Sequence, residues 1–336
     1  MQMKRRTLIS ATLGLGALGG LAWLGREAGT PAAVAMLPRH EGRAKAFGTT
    51  VVLTVLHPDE KTARSAIADA LAEVRAVDAL MSLHQDGSQL VRLNRDGVLD
   101  APDARVVAVL QSGQDLARLT GGAFDLTVQP LWNAFEGAHE QGRLPDAATI
   151  VAARARVGWQ RLQVTPERVT LAQGMGVTAN GLAQGYAADL ASAALRRHGI
   201  EHALLDTGEF ATIGAKEEGR PWLLGVRDPR DAEAVAARIV MDGRALSTSG
   251  DYETVFSADF RHHHIFDPAV GDSPTQLASV TVLAPTGLQA DGLSTAFMVL
   301  GAERSLALAE RLDGVDALLI GKDGQRWASK GFPTAA

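Results

Sequence analysis

The chain first declares itself through a β-rich run followed by a helical stripe. "FGTTVVLTVLH" (47–57) is dense in β-branched residues and reads as a strand. Ala63, Ile67, Leu71, Val74, Val77 and Leu80 then recur at intervals of three and four, which predicts a helix with one apolar face. A second helical pattern covers 104–119 and stops at "TGGAFD", where two glycines end it, and a third, shorter one covers 146–156. "RLQVTPERVTLA" alternates around a Pro-Glu turn, the pattern of a hairpin. "NGLAQGYAADLASAALRRHG" (180–199) opens on a glycine turn and becomes a long amphipathic helix, with Gly199 as its stop signal. "IEHALLDTGEF", "QLASVTVLA" and "DALLIGK" read as strands, and a helix is predicted near 302–313. Strands and helices without regular βαβ alternation predict an α+β layered fold rather than a doubly wound sheet.

Composition narrows the function classes. At 336 residues, 46% hydrophobic and 21% charged, the chain can bury a sizeable core. Its net charge of −5, with no basic run longer than three residues, offers no surface for a phosphate backbone, so nucleic acid is not an expected partner. There is no cysteine, which excludes disulfides and thiolate metal sites and leaves only oxygen or imidazole ligands. Arg5-Arg6 precede an uncharged stretch from Thr7 to Gly25, the pattern of a twin-arginine export signal. "TPAAVAM" offers cleavage after Ala35, so the expected organisation is a signal at 1–35 and one periplasmic domain at 36–336. The alternative is an uncleaved anchor, since the uncharged run is close to the roughly 18 residues of a candidate span; its five glycines weaken that reading.

Several loops carry candidate chemistry. "TGGAFDLTVQPLW" (120–132) combines free backbone amides with Phe124 and the Asp125 carboxylate. "NGLAQGYAAD" joins a tight turn to a helix start, where amides and dipole favour an anion. "STSGDYETVF" (247–256) reads as a hydroxyl-rich turn, and "ADGLSTAF" sets Asp291 and Thr295 four residues apart, on one face if helical. "HHHIFDPAVGDSP" (262–274) is compatible with holding a metal, taking a proton, gripping a phosphate or none of these. Three consecutive strand residues make a poor tridentate chelate, because neighbours point to opposite faces. His262 is expected to be solvated, His263 to be a weaker candidate than His264, and Asp267 to shape the turn before Pro268.

Taken as an ordered set, "TGGAFDLTVQPLW", "NGLAQGYAAD", "LLDTGEFATIG", "STSGDYETVF", "HHHIFDP" and "ADGLSTAFMVLG" resemble the ApbE family of FAD:protein FMN transferases from about Phe47 to Gly321. "ANGLAQGYAAD" with "LLDTGE" and the twin-arginine start looks most like the NosX branch, accessory proteins of nitrous oxide reduction. The resemblance implies a T-fold-like arrangement of mixed sheets and packed helices, one compact unit of two intimate halves. It implies magnesium held by the Ala183 carbonyl, Asp291 and Thr295, a hard oxygen set that suits this ion. It further implies FAD held by His84, Ala123, Phe124, Asp125, Asn180, Tyr186, Ser249, His264 and Ile265, with His264 and Asp291 in catalysis. The implied partner is a flavoprotein, membrane-bound or periplasmic, whose threonine accepts FMN; no signature sets the oligomeric state. Departures from the family pattern are Thr178 for an acidic residue, Gln184 for a lysine, Phe47 for the methionine of Met-Gly-Thr, His84 for a stacking aromatic, and Glu209 as the carboxylate of an altered turn. Two other functions stay open: an FAD pyrophosphatase releasing FMN and AMP, and a non-catalytic periplasmic module binding flavin or metal.

Overall fold

The computed structural model describes residues 36–216 and 219–335. The proposed signal at 1–35 lies outside the described residues. Among those described, no helix is long and apolar enough to cross a membrane.

The fold is α+β, built on an eight-stranded sheet of order β1-β2-β6-β7-β10-β11-β12-β13, in which every pairing runs antiparallel. Its first half is β1 (Arg39–Ala46), β2 (Thr49–Leu56), β6 (Ala203–Asp206) and β7 (Phe210–Ile213). The second half is β10 (Ala245–Gly250), β11 (Leu277–Ala284), β12 (Asp316–Gly321) and β13 (Arg326–Ala328). The two halves meet in the sheet through a single registered pair, Leu246 with Phe210.

Helices cover one face. The stripe from Ala63 becomes α1 (Glu60–Met81), started by the Asp59 carboxylate accepting from the Thr62 amide. It packs on β1, β2 and α6 (Ala183–Arg197), and α6 in turn packs on α7 (Gly287–Leu300), which lies over β10 and β11. Alternate residues of the sheet face this layer: Val51, Leu53, Val55, Leu205, Val280 and Val282 join the side chains of α1, α6 and α7 in one core. The other face is covered by a hairpin, β8 (Leu223–Arg227) and β9 (Val235–Val240), whose Leu224, Val226 and Ile239 pack with Leu56, Phe210, Leu246 and Leu283. With both faces covered, all eight residues of β11 are buried.

The remaining elements flank the helix layer. α2 (Gln89–Asp96) and α3 (Ala104–Leu119) stand beside a small sheet of β3 (Val98–Asp100), β5 (Arg168–Thr170) and β4 (Gln163–Val164), so the predicted hairpin forms and gains a third strand. α4 (Gln129–His139) and α5 (Ala147–Arg154) pack together around Phe135, and α8 (Ala302–Ala309) lies on β12.

Three expectations change. Phe47 is not the first residue of a strand: with Gly48 it forms the two-residue turn between β1 and β2, at φ 51° and 71°. The stretch opening "STSG" is not a turn but the end of strand β10, and only 251 onward is loop. "VQPLW" leaves the loop at Val128 and becomes α4, with Pro130 in its first turn where no amide is missed.

Candidate active site

The seam left thin in the sheet is closed by the crossing of α6 over α7. Gly185 and Gly287 face each other there, and a Cβ on either would strike the backbone of the other. This close approach lets each helix cap its partner. Asp189, on α6, accepts from the first amides of α7, Gly287 at 2.6 Å and Leu288 at 3.0 Å. Asp291, on α7, accepts from the Gly185 amide in the first turn of α6 at 3.1 Å. α6 has no side-chain cap of its own, so the carboxylate from α7 meets its positive end.

Beside this crossing lies an open cleft of about 170 Å³. Drug-sized ligands commonly fill roughly 300–1,000 Å³, so a dinucleotide would extend beyond it. Ala183, Asp291 and Thr295 form one wall, Ala123, Phe124 and Asp125 a second, and Ser249, His264 and Ile265 a third. His84 and Asn180 line it from exposed positions. Eleven of the twelve residues singled out from sequence therefore meet in one place. Tyr186 does not: it lies outside the cavity, half-buried one turn along α6 near Arg105, Asp103 and Glu73.

The oxygen donors fit a hard cation. Gly181 keeps the space beside them open, since a Cβ there would stand 3.0 Å from Thr295 Oγ1 and 3.3 Å from the Phe124 ring. Thr295 is also oriented by a chain of hydroxyls, of which Ser247 and Ser294 were not singled out from sequence. Ser294 Oγ donates to the Asp291 carbonyl (2.9 Å) and lies 3.1 Å from Ser247 Oγ and 2.8 Å from Ser249 Oγ, which in turn is 3.3 Å from Thr295 Oγ1. A hydroxyl has one proton. When the Ser294 proton is on that carbonyl, Ser247 and Ser249 donate to Ser294 and Ser249 accepts from Thr295, an arrangement that turns the Thr295 proton toward Ser249 and its lone pairs outward. Among the described residues no group of three His, Cys, Asp or Glu is placed to hold a metal; a site of one carboxylate, one hydroxyl and one carbonyl has no such signature.

The three histidines separate cleanly. His262, expected to be solvated, keeps 28% of its side chain exposed, bonds Asp272 Oδ1 through Nδ1 at 2.8 Å and lies 6.1 Å from the Phe135 ring. His263 is fully buried; Nε2 donates to the Pro274 carbonyl at 3.2 Å, and Nδ1 accepts from the Ile265 amide at 3.4 Å. Burial pushes its pKa down from 6.5 to about 3, so it is neutral and structural. His264 alone lines the cavity, its backbone amide held by the Thr254 carbonyl at 3.0 Å. Among the described residues the three do not come together as a metal-holding group. Asp267 shapes its turn, accepting from the amide of Ala269 through the side chain and of Gly271 through the carbonyl.

Asp125 is less available than its position suggests. Oδ1 accepts from the amide and hydroxyl of Thr127 (2.8 and 2.6 Å) and Oδ2 from the Trp159 amide (3.0 Å). Burial, partly offset by these bonds, raises its pKa. Its carboxylate holds the loop that presents Ala123 and Phe124. Gln184 is similarly tied to the β6–β7 turn, its amide donating to the Thr207 carbonyl at 3.1 Å. Sequence reasoning also missed Asp78, which bonds the Phe47 backbone and Gln85 and so fixes the turn that brings Phe47 to the cavity; burial raises its pKa.

The fold is an α+β layer whose cleft, lined by oxygen donors, sits at a helix crossing. The chain belongs to the ApbE family, whose model matches residues 47–319. It is 35% identical over 311 residues to an FAD:protein FMN transferase of Klebsiella pneumoniae, covering 86% of this chain and 87% of that one. A Treponema pallidum FAD:protein FMN transferase is 31% identical over 80% of each chain. The crystal structure of the ApbE protein of Thermotoga maritima superposes with a TM-score of 0.77 at 29% identity, covering 87% of this chain and 97% of that one. The apo flavinyl transferase ApbE of Pseudomonas stutzeri gives 0.75 at 33% identity, covering 89% and 96%.

Proposed function

We propose that the protein is an FAD:protein FMN transferase acting on a threonine hydroxyl of another protein. The observation that carries this reading is the convergence of Ala183, Asp291 and Thr295 with His264 across one cavity, in a chain of the ApbE family. The threonine oxygen attacks the phosphorus on the FMN side of the FAD pyrophosphate. The new bond is Oγ–P, the bridging P–O bond breaks, and AMP leaves with the bridging oxygen. The hydroxyl proton passes to a His264 ring nitrogen, as suits an imidazole near neutral pH. Magnesium bound by the Ala183 carbonyl, Asp291 and Thr295 would supply positive charge opposite the phosphate oxygens. Phe124 and Ile265 offer apolar surface to the flavin.

The finer assignments extend this reading. The twin-arginine pattern supports periplasmic action, and "ANGLAQGYAAD" with "LLDTGE" supports a NosX-like role in maturing the nitrous oxide reduction system through a membrane flavoprotein. The test is mass spectrometry after incubating the protein with FAD, magnesium and a candidate acceptor domain. The expected result is an acceptor heavier by one FMN, with AMP released in equal amount. Free FMN and AMP with an unmodified acceptor would make the protein a pyrophosphatase, and intact FAD would make it a binding module.

A further inference from the structure

A second, larger cavity of about 510 Å³ lies on the hairpin side of the sheet, opposite the helices. Its floor is Val52, Thr54, Leu204 and Leu246, while the alternating Val51, Leu53 and Leu205 face the helix core. One side is β1, whose Arg39, Glu41, Arg43 and Lys45 all point into it because every second residue of a strand shares a face. Glu41, Arg43 and Lys45 stand directly across from Thr54, Val52 and Thr50 of β2.

Two features connect this groove with the cleft. Thr248 and Glu253 line both cavities, and the β1–β2 turn contributes Phe47 to the cleft and Gly48 to the groove. Glu253 is held there by Arg227 at 2.9 Å, and Arg227 stacks over the Tyr252 ring at 4.5 Å. The groove therefore runs up to the cleft along a fixed neck.

Its form indicates an occupant. From Arg39 to Lys45 the wall is about 20 Å long at ~3.4 Å per residue, the span of an extended chain of about six residues. Glu41 bonds both Arg39 (3.1 Å) and Arg43 (2.8 Å), leaving the wall with three cations against one carboxylate. Asp206 and Glu209 lie on the far side, so the groove is basic along β1 only. We infer that this groove docks an extended segment of the acceptor polypeptide, its acidic side chains against Arg39, Arg43 and Lys45, delivering its hydroxyl past Thr248 and Glu253 into the cleft. This inference rests on the transferase reading and adds the path of the second substrate.

The test uses the full protein and two synthetic 12-residue peptides, each with one central threonine, flanked either by Asp and Glu or by Asn and Gln. Binding is read by fluorescence and FMN transfer by mass. The acidic peptide is expected to bind at least about tenfold more tightly than the neutral one, with affinity falling as salt rises. Thr50→Trp, which fills the groove from an exposed strand position, and the pair Arg43→Glu with Lys45→Glu should each weaken that binding about tenfold while leaving FAD affinity unchanged. Absent binding of the acidic peptide, equal binding of the two peptides, or groove variants that bind the acidic peptide as the parent does, overturns the inference. A loss of FAD affinity instead would make the groove part of the dinucleotide site and equally overturn it. Peptide binding in the groove with FAD left intact defeats the transferase reading alone; FMN transfer unaffected by the groove variants defeats the groove alone.

Discussion

Asp189 and Asp291 sit at the two ends of one helix crossing and make the same kind of bond, yet the fold uses them differently. Both oxygens of Asp189 are committed to amides at the start of α7, and it lines neither the cleft nor the groove. Asp291 caps α6 through Oδ2 and also lines the cleft. Burial raises the pKa of Asp189 against the pull of its two amides. A capping geometry thus says nothing about function until the space beside it is known. The same contrast recurs at His263 and His264, adjacent in sequence, one sealed in the core and one on the cavity wall.

The sharpest way to break the comparison is to truncate each carboxylate. Asp291→Ala is expected to lower the rate of FMN transfer by about 10³-fold, the scale of losing one preorganised electrostatic contact to a transition state, with the magnesium response lost. Steady-state transfer measured over a magnesium titration checks it; a loss below tenfold would put Asp291 with Asp189 as a cap. Asp189→Ala is expected to cost about 2 kcal/mol of stability, because two helix amides lose their acceptor. Urea unfolding reads that cost, and the transfer rate of the folded fraction should stay within about threefold of the parent.

The histidine pair sharpens the contrast through pH. His263 has a folded pKa of about 3 against 6.5 when unfolded, so below pH 6.5 the unfolded chain binds the extra proton and stability falls. From pH 6.5 to 5.5 that linkage is worth about 1 kcal/mol. Asp78, Asp125 and Asp189, whose pKa values are raised by burial, give the opposite slope in both proteins compared. His263→Gln keeps a donor for the Pro274 carbonyl and removes the proton, so the parent-minus-variant difference should lose this 1 kcal/mol between the two pH values. An unchanged difference would show that His263 titrates in the folded protein.

How legible these roles were in sequence follows from what periodicity records. α1, α3 and α6 have one buried and one exposed face, so their stripes were readable. β10 is wrapped on both sides and filled with hydroxyls that bond across to α7, so "STSG" showed neither alternation nor apolarity and read as a turn. α4 hid behind "VQPLW", where a proline at a helix start resembles a loop. The candidate site came from ordered motifs, whose segments line one cleft. They could not tell how each residue serves the cavity: Asp125 lines it but spends both oxygens on Thr127 and Trp159, and Tyr186 lies outside it. Ser294 lay inside "ADGLSTAF" without a role, because its partners Ser247 and Ser249 are more than forty positions away.

Ser294 is the intermediate case between the two classes, since it is not part of the cleft wall and yet bonds the hydroxyls beside Thr295, which is. Ser294→Ala removes the acceptor for Ser247 and Ser249. Ser249 is then free to donate toward Thr295, and Thr295 loses the arrangement that keeps its lone pairs outward. The expected consequence is small, about a threefold weaker magnesium dependence of transfer, under 1 kcal/mol, with the KM for FAD unchanged. Ser294→Thr keeps the hydroxyl and should restore the parent's magnesium response. If alanine and threonine behaved alike, the hydroxyl chain would be packing only, and the orientation of Thr295 would have to come from the helix backbone alone.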